Sequence, residues 1–266
     1  MQNLKLRHIL LLVLAPLQFF TSRWHEITGI GRSVGDMAVD APTPATPAGY
    51  AFLIWILIFA LQTLYAGWQA RPSQRTGLLH ARIAWPLVIA LTASNLWMLG
   101  AIYTGNGPFL LALIVVMAAA VFTALLRAVA SVSSDTPLTP AIRRLVIPML
   151  AICAGWLTLA TFLNLAGVLQ LVLALPTGTP MGAITTLLAA FITAGAMLML
   201  LRPSAVAVQA YGGTVVWGLL AVTLANTVPG LSPVGMLNAA VALTAWLGAA
   251  IMVFAMAVVL RLSHPV

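Results

Sequence analysis

Phe52, Trp55, Phe59 and Gln62 follow one another three and four residues apart, which places them on one face of a helix. Trp156, Ala160 and Asn164 repeat the four-residue step in a later apolar stretch, and Asn95 is a lone amide in another. Indole, phenyl and carboxamide groups hold a molecule by packing and hydrogen bonding. They do not move protons at neutral pH, and the nearest substitute, tyrosine, titrates near ~10. The groups that do titrate are elsewhere. Every Asp, Glu, Lys and Arg, with His8, His25, His80 and His264, falls between apolar stretches or at their ends. Proton relays, metal centres and serine nucleophiles each need ionisable side chains that the apolar stretches do not supply. The chemistry predicted is therefore non-covalent binding, with no catalytic residue, no metal site and no built-in cofactor. Cys153 stands alone, which excludes an internal disulfide and a cysteine metal site, and it reads as a small buried hydrophobe.

Composition sets the elements that must carry these residues. Charged residues are 6% and apolar residues 62% of the 266, against roughly 25% and about 45–50% in ordinary soluble domains. Twelve Lys and Arg with four Asp and Glu cannot coat a soluble chain of this length, so much of its surface must face lipid. The formal charge of +8 comes from scattered residues without a basic stripe, which speaks against nucleic acid as a partner. A bilayer core of about 30 Å takes roughly 20 helical residues to cross. Seven stretches qualify: 48–69, 83–102, 109–130, 145–165, 182–201, 211–228 and 234–260. An eighth, 9–20, follows Lys5 and Arg7. Its Pro16, Gln18, Phe19 and Phe20 offer no small-residue cleavage site, so it reads as a retained helix and not as a signal-peptide core. Residues 166–175 are too short to span and read as a helix extension or a re-entrant piece. The expected fold is an all-α polytopic membrane protein of about eight transmembrane helices.

Cytoplasmic loops carry the excess of Lys and Arg. With eight spans, Lys5, Arg7, Arg71, Arg75, Arg82, Arg127, Arg143, Arg144, Arg202 and Arg261 share one side, and only Arg23 and Arg32 fall on the other. This partition predicts cytoplasmic N- and C-termini in a membrane of the bacterial inner type. In that frame Trp55, Asn95 and Trp156 all lie about 10–13 Å below the outer surface, at 1.5 Å per helical residue. Trp24, Trp68 and Trp85 sit at span ends as an interfacial belt requires, whereas Trp55, Trp156 and Trp246 do not. The amides Gln62, Asn95, Asn164, Gln170, Asn226 and Asn238 are open to two roles, hydrogen bonds between helices or contact with a ligand. If the helices carrying Trp55, Asn95 and Trp156 are neighbours, an uncharged cavity lined by rings and amides results, and such a cavity suits a flat hydrophobic ligand. Above it would lie the long loop 21–47. Its end, residues 41–47, carries three prolines and cannot be helical, so it suits a lid. Pro47 is expected in the first turn of the following helix, with Thr46 as its cap. The glycines of segment 29–35 imitate a dinucleotide loop, but the spacing is wrong and no strand precedes them.

The run from Pro47 through Tyr50, Phe52 and Trp55 to Phe59 resembles the proline-rich loop and Phe-x-x-Trp-x-x-x-Tyr helix of the TspO/translocator protein family. Asn95-Leu96-Trp97 is similar to that family's Asn-x-x-Trp helix, and Pro148 with Trp156, Ala160 and Asn164 to its fifth helix. The likeness covers residues 8–170 in order and suggests the longer branch labelled tryptophan-rich sensory protein. It implies a five-helix membrane domain over residues 1–175, with three further helices over 176–266 packed on it. It also implies binding of porphyrins, sterol-like lipids or synthetic aromatic ligands, often in a homodimer, through Phe52, Trp55, Asn95, Trp156, Ala160 and Asn164. Phe59 stands where the family has tyrosine, and the loop lacks the tryptophan that precedes the proline pair. The expectation is therefore a hydrophobic, planar small-molecule ligand, tetrapyrrole- or lipid-like, bound for sensing or transport. The rival readings are a secondary transporter of a neutral solute, a membrane lipid or isoprenoid enzyme using surface groups such as His25, Asp36 and Asp40, and an assembly partner.

Overall fold

Prolines and small polar residues set the helix boundaries. Pro108 and Pro180 occupy first turns, where the absent N–H would have had no helical partner anyway. Thr179 and Ser204 cap their helices, accepting from the N–H of Gly182 at 3.2 Å and of Ala207 at 3.3 Å. Gly105, at φ 66, turns the chain sharply out of the helix before it. Between these marks the sequence is apolar, and in lipid a helix satisfies every backbone group internally.

The computed structural model describes residues 4–32, 40–131 and 139–262. In chain order its helices are α1 (Leu6–Thr21), the short α2 (Trp24–Thr28), α3 (Ile54–Gln69), α4 (Leu78–Thr104), α5 (Pro108–Ala130), α6 (Ile147–Leu173), α7 (Pro180–Leu201), α8 (Ala205–Thr227) and α9 (Ala239–Leu262). A 3-10 turn, Gly49–Leu53, leads into α3, and a π turn, Ile142–Val146, leads into α6. Seven helical stretches are long and apolar enough to cross a bilayer, and α1 is a shorter apolar helix of 16 residues. The chain is thus an all-α, multi-pass membrane protein. Its outward side chains agree: Phe254, Ile192 and Trp246 are widely exposed on apolar helices, as a lipid-facing surface requires.

One local alternative is decided and two expectations are corrected. Residues 166–175 are the helix extension and not a re-entrant piece, because α6 runs unbroken to Leu173 and ends where Ala174 turns left-handed at φ 51. The last helix begins at Ala239 and not near 234, because Gly235 takes a positive φ and Asn238 then receives the N–H of Val241 at 3.0 Å. Pro47 lies outside the helix and Thr46 does not cap it. Ala48 is the boundary residue, in extended geometry, and its N–H leaves the helix altogether to reach the carbonyl of Ala221 on α8 at 3.1 Å.

Around this frame α4 packs along α5, α8 along α9, and α6 lies among α5, α7 and α8. Gly155 lets α6 and α8 come close, since a Cβ there would stand 2.6 Å from the Tyr211 carbonyl oxygen and 2.9 Å from Thr214 Cβ. The Tyr211 and Thr158 hydroxyls meet at 2.8 Å across the same seam. α1 is wedged against α3 and α4, whereas α3 meets α6 only sparsely. The gap on that side of α3 holds the candidate site.

Candidate functional site

The 3-10 turn and α3 aim Phe52, Trp55 and Phe59 across the gap toward Trp156 on α6. The rings form a continuous chain. Phe19 of α1 meets Phe59 edge-on at 5.6 Å, Phe59 meets Trp55 at 5.5 Å, and Trp55 meets Trp156 edge-on at 6.4 Å. Phe52 also meets Trp156 in a T-shaped contact at 5.6 Å. Edge-to-face contacts of this kind fix ring orientation as well as bury area. Beside them lies a cavity of about 1120 Å³, at the upper end of what small-molecule sites offer.

Phe52, Trp55, Phe59, Trp156, Ala160 and Asn164 all stand on the cavity wall. Asn164 donates to the Ala160 carbonyl at 2.9 Å, which fixes its amide at the wall. Gln62 and Asn95 stand elsewhere. Gln62 accepts from Gln18 at 2.7 Å and reaches the Cys153 sulfur at 3.7 Å. Asn95 accepts from the Thr21 hydroxyl at 2.9 Å and donates to the carbonyls of Leu14 and Leu91 at 3.0 and 2.8 Å. Ser94 completes this set by donating to Gln18 at 2.7 Å. These amides bind α1 into the bundle; their hydrogen-bonding capacity is spent on helices, not on the cavity.

The wall also draws on helices beyond the resemblance. Leu187 and Ala190 of α7, and Gly218 and Val222 of α8, face the cavity. Nothing in their types marks them, since small and branched apolar residues fill every span of this chain. Trp97 of α4 is also on the wall, and its indole N–H is buried without a hydrogen-bond partner. Among the described residues the interior wall carries no charged side chain; Arg23 and Glu26 meet at 3.4 Å where the cavity reaches the surface, both well exposed.

The roof is segment 41–47, and it is buried where a loose lid would be exposed. It is also not straight: the N–H groups of Ala45 and Thr46 fold back on the Thr43 hydroxyl and carbonyl at 3.3 and 3.0 Å. α8 holds it. Asn226 donates to the Pro44 carbonyl at 2.7 Å, Ala221 receives the Ala48 N–H, and Trp217 donates to the Ala51 carbonyl at 3.3 Å. Tyr50 packs edge-on against Trp217 at 5.4 Å. On the other flank Arg32 pairs with Asp40, and its N–H meets the Ile102 carbonyl at 3.2 Å. Of the surface groups a lipid enzyme would need, His25 is bound to the Ile30 carbonyl at 3.2 Å, Asp40 is in that ion pair, and Asp36 lies outside the described residues. Gly29 and Gly31, with positive φ, are turn residues after α2, and residues 33–35 of that glycine segment lie outside the described residues.

Comparison with known protein families matches the model for TSPO-like protein over residues 8–258. Neither the curated proteins nor the solved structures contain a significant match.

Proposed function

Because the chain belongs to the TSPO-like protein family, we propose that its cavity binds a hydrophobic, planar molecule, tetrapyrrole- or lipid-like, for sensing or transport. The observation that carries this reading is the ring chain from Phe19 to Phe52 along one side of an uncharged volume. Flat π surfaces stack on or meet the edges of such rings, and an interior without charge does not penalise their desolvation. Trp97 adds a donor without an acceptor, which suits a ligand carrying a carbonyl, ring nitrogen or similar acceptor. Asn164 and the Arg23–Glu26 pair lie on the wall and at the opening, where a polar end of the ligand would rest. Phe52, Trp55, Phe59, Trp156 and Ala160 are the contact residues in this reading. Gln62 and Asn95 support it from a distance.

Titration of the detergent-purified chain with protoporphyrin, followed by porphyrin absorbance, tests the assignment. Ala160→Trp puts an indole into the volume beside Trp156 and is expected to weaken binding more than about tenfold, the loss of ~1.4 kcal/mol. Trp55→Ala is expected to weaken it comparably by removing a ring face. Equal affinities for the wild type and both variants would refute the site.

A further inference from the structure

Basic and imidazole groups gather at the end of α1 opposite the cavity. Lys5, Arg7 and His8 come from the start of α1, Arg75 from the α3–α4 loop, and His80 from the first turn of α4. Arg7 donates to the Arg75 carbonyl at 3.4 Å, and the Lys5 N–H donates to His8 Nδ1 at 3.0 Å. The charges of Lys5, Arg7 and Arg75 bear on His8, and those of Arg7 and His8 on His80, so the five form one cluster. Tyr65 stands 3.1 Å from His80 Nδ1, and Trp68 meets the His80 ring edge-on at 4.9 Å, which closes the inner side.

Two donors in this cluster have no acceptor. His8 Nδ1 already accepts, so a neutral His8 carries its proton on Nε2. That Nε2 is buried without a partner in a side chain 0% exposed, and Arg7 Nε is buried without one as well. Buried orphan donors are rare and costly. The described carboxylates cannot serve them, because Glu26 and Asp40 are engaged with Arg23 and Arg32 at the other end of the bundle. What the cluster lacks is a negatively charged acceptor with several oxygens, which is the chemistry of a phosphate. Lys5 is exposed and Arg7 only half-buried, so the cluster is open on that side. Leu6, Ile9 and Leu78 are exposed apolar residues on the same two helix ends. A free phosphate gains nothing from them, whereas a lipid lays its chains along them.

We propose that the Lys5–Arg7–His8–Arg75 cluster is a headgroup site for an anionic phospholipid. Its phosphate enters at the open side beside Lys5 and Arg7, where rotation of the Arg7 and His8 side chains turns Arg7 Nε and His8 Nε2 to it, and its acyl chains run along Leu6 and Ile9. Basic pockets between transmembrane helices bind such headgroups. The test is native mass spectrometry of the full chain in detergent, titrated in turn with phosphatidylglycerol, phosphatidylcholine and sodium phosphate. The wild type is expected to hold phosphatidylglycerol about fivefold or more above phosphatidylcholine. Arg7→Gln is expected to erase that preference and Arg7→Lys to keep part of it. Arg82→Gln, at the same end but outside the cluster, is expected to leave it unchanged. If Arg7→Gln does not fold, His8→Phe is expected to give the same loss. Equal retention of both lipids by the wild type, or equal loss in Arg82→Gln, would overturn the site. Displacement of phosphatidylglycerol by millimolar sodium phosphate would overturn its assignment to a lipid.

Discussion

The two sides of α3 are built differently although they lie at similar depth. Toward α1 and α4 the helix is closed by amides and hydroxyls, with Gln18, Gln62, Ser94, Asn95 and Thr21 linked in close hydrogen bonds. Toward α6 and α8 it is held off by aromatic rings that touch edge to face and leave a volume beside them. The difference follows from what each group needs in an apolar surrounding. A buried amide must satisfy its own donors and acceptors, so it draws helices together. A ring has no such requirement, and its stiff bulk keeps helices apart.

The strongest way to break this contrast is to close the open side from behind. Gly155→Leu would push a side chain into the Tyr211 carbonyl and Thr214, and the α6–α8 seam has no slack there. A loss of about 3 kcal/mol or more is expected, at the high end for overpacking, seen as a large fall in thermal stability in detergent. Unchanged stability would mean that α8 is not fixed as described. A smaller effect should come from the amide side. Asn95→Ala removes two donated bonds and leaves the Thr21 hydroxyl only the longer contacts to the Leu17 and Gln18 carbonyls, for an expected cost of about 1–2 kcal/mol. Porphyrin affinity should change less than about threefold, under ~0.7 kcal/mol. A large loss of affinity with unchanged stability would place Asn95 in the site after all. The smallest effect belongs to the roof. Asn226→Ala removes one bond to the Pro44 carbonyl and is expected to speed ligand release about fivefold, the worth of ~1 kcal/mol, with little change in stability. Stopped-flow displacement measures it, and an unchanged release rate would show that the roof does not govern exit.

Much of this architecture was legible because lipid imposes simple rules. Length and apolarity marked the seven spans and the shorter apolar helix α1. The three- and four-residue steps placed Phe52, Trp55 and Phe59 on one face, and all three line the cavity. The place of an amide relative to the cavity was not legible. Gln62 is within about 20° of Trp55 in helical projection but about two turns further along α3, past the rings, where its amide meets Gln18 and Cys153. Asn95 faces α1. Gly218 and Val222 gave no signal, because a wall of small apolar residues looks like any span interior. The 3-10 entry to α3 was hidden for another reason: the Ala48 N–H is fixed by Ala221, a partner far along the chain.

That last bond has a bearing on how the molecule comes into being. The covering of the ligand chamber is made early in translation, while the helix that anchors it through Ala221 and Asn226 emerges only some 180 residues later. Until α8 is inserted, the nascent chain has a cavity open at the top. Closure of the cavity is therefore tied to insertion of α8, and a product interrupted before α8 would leave it without its covering's anchor.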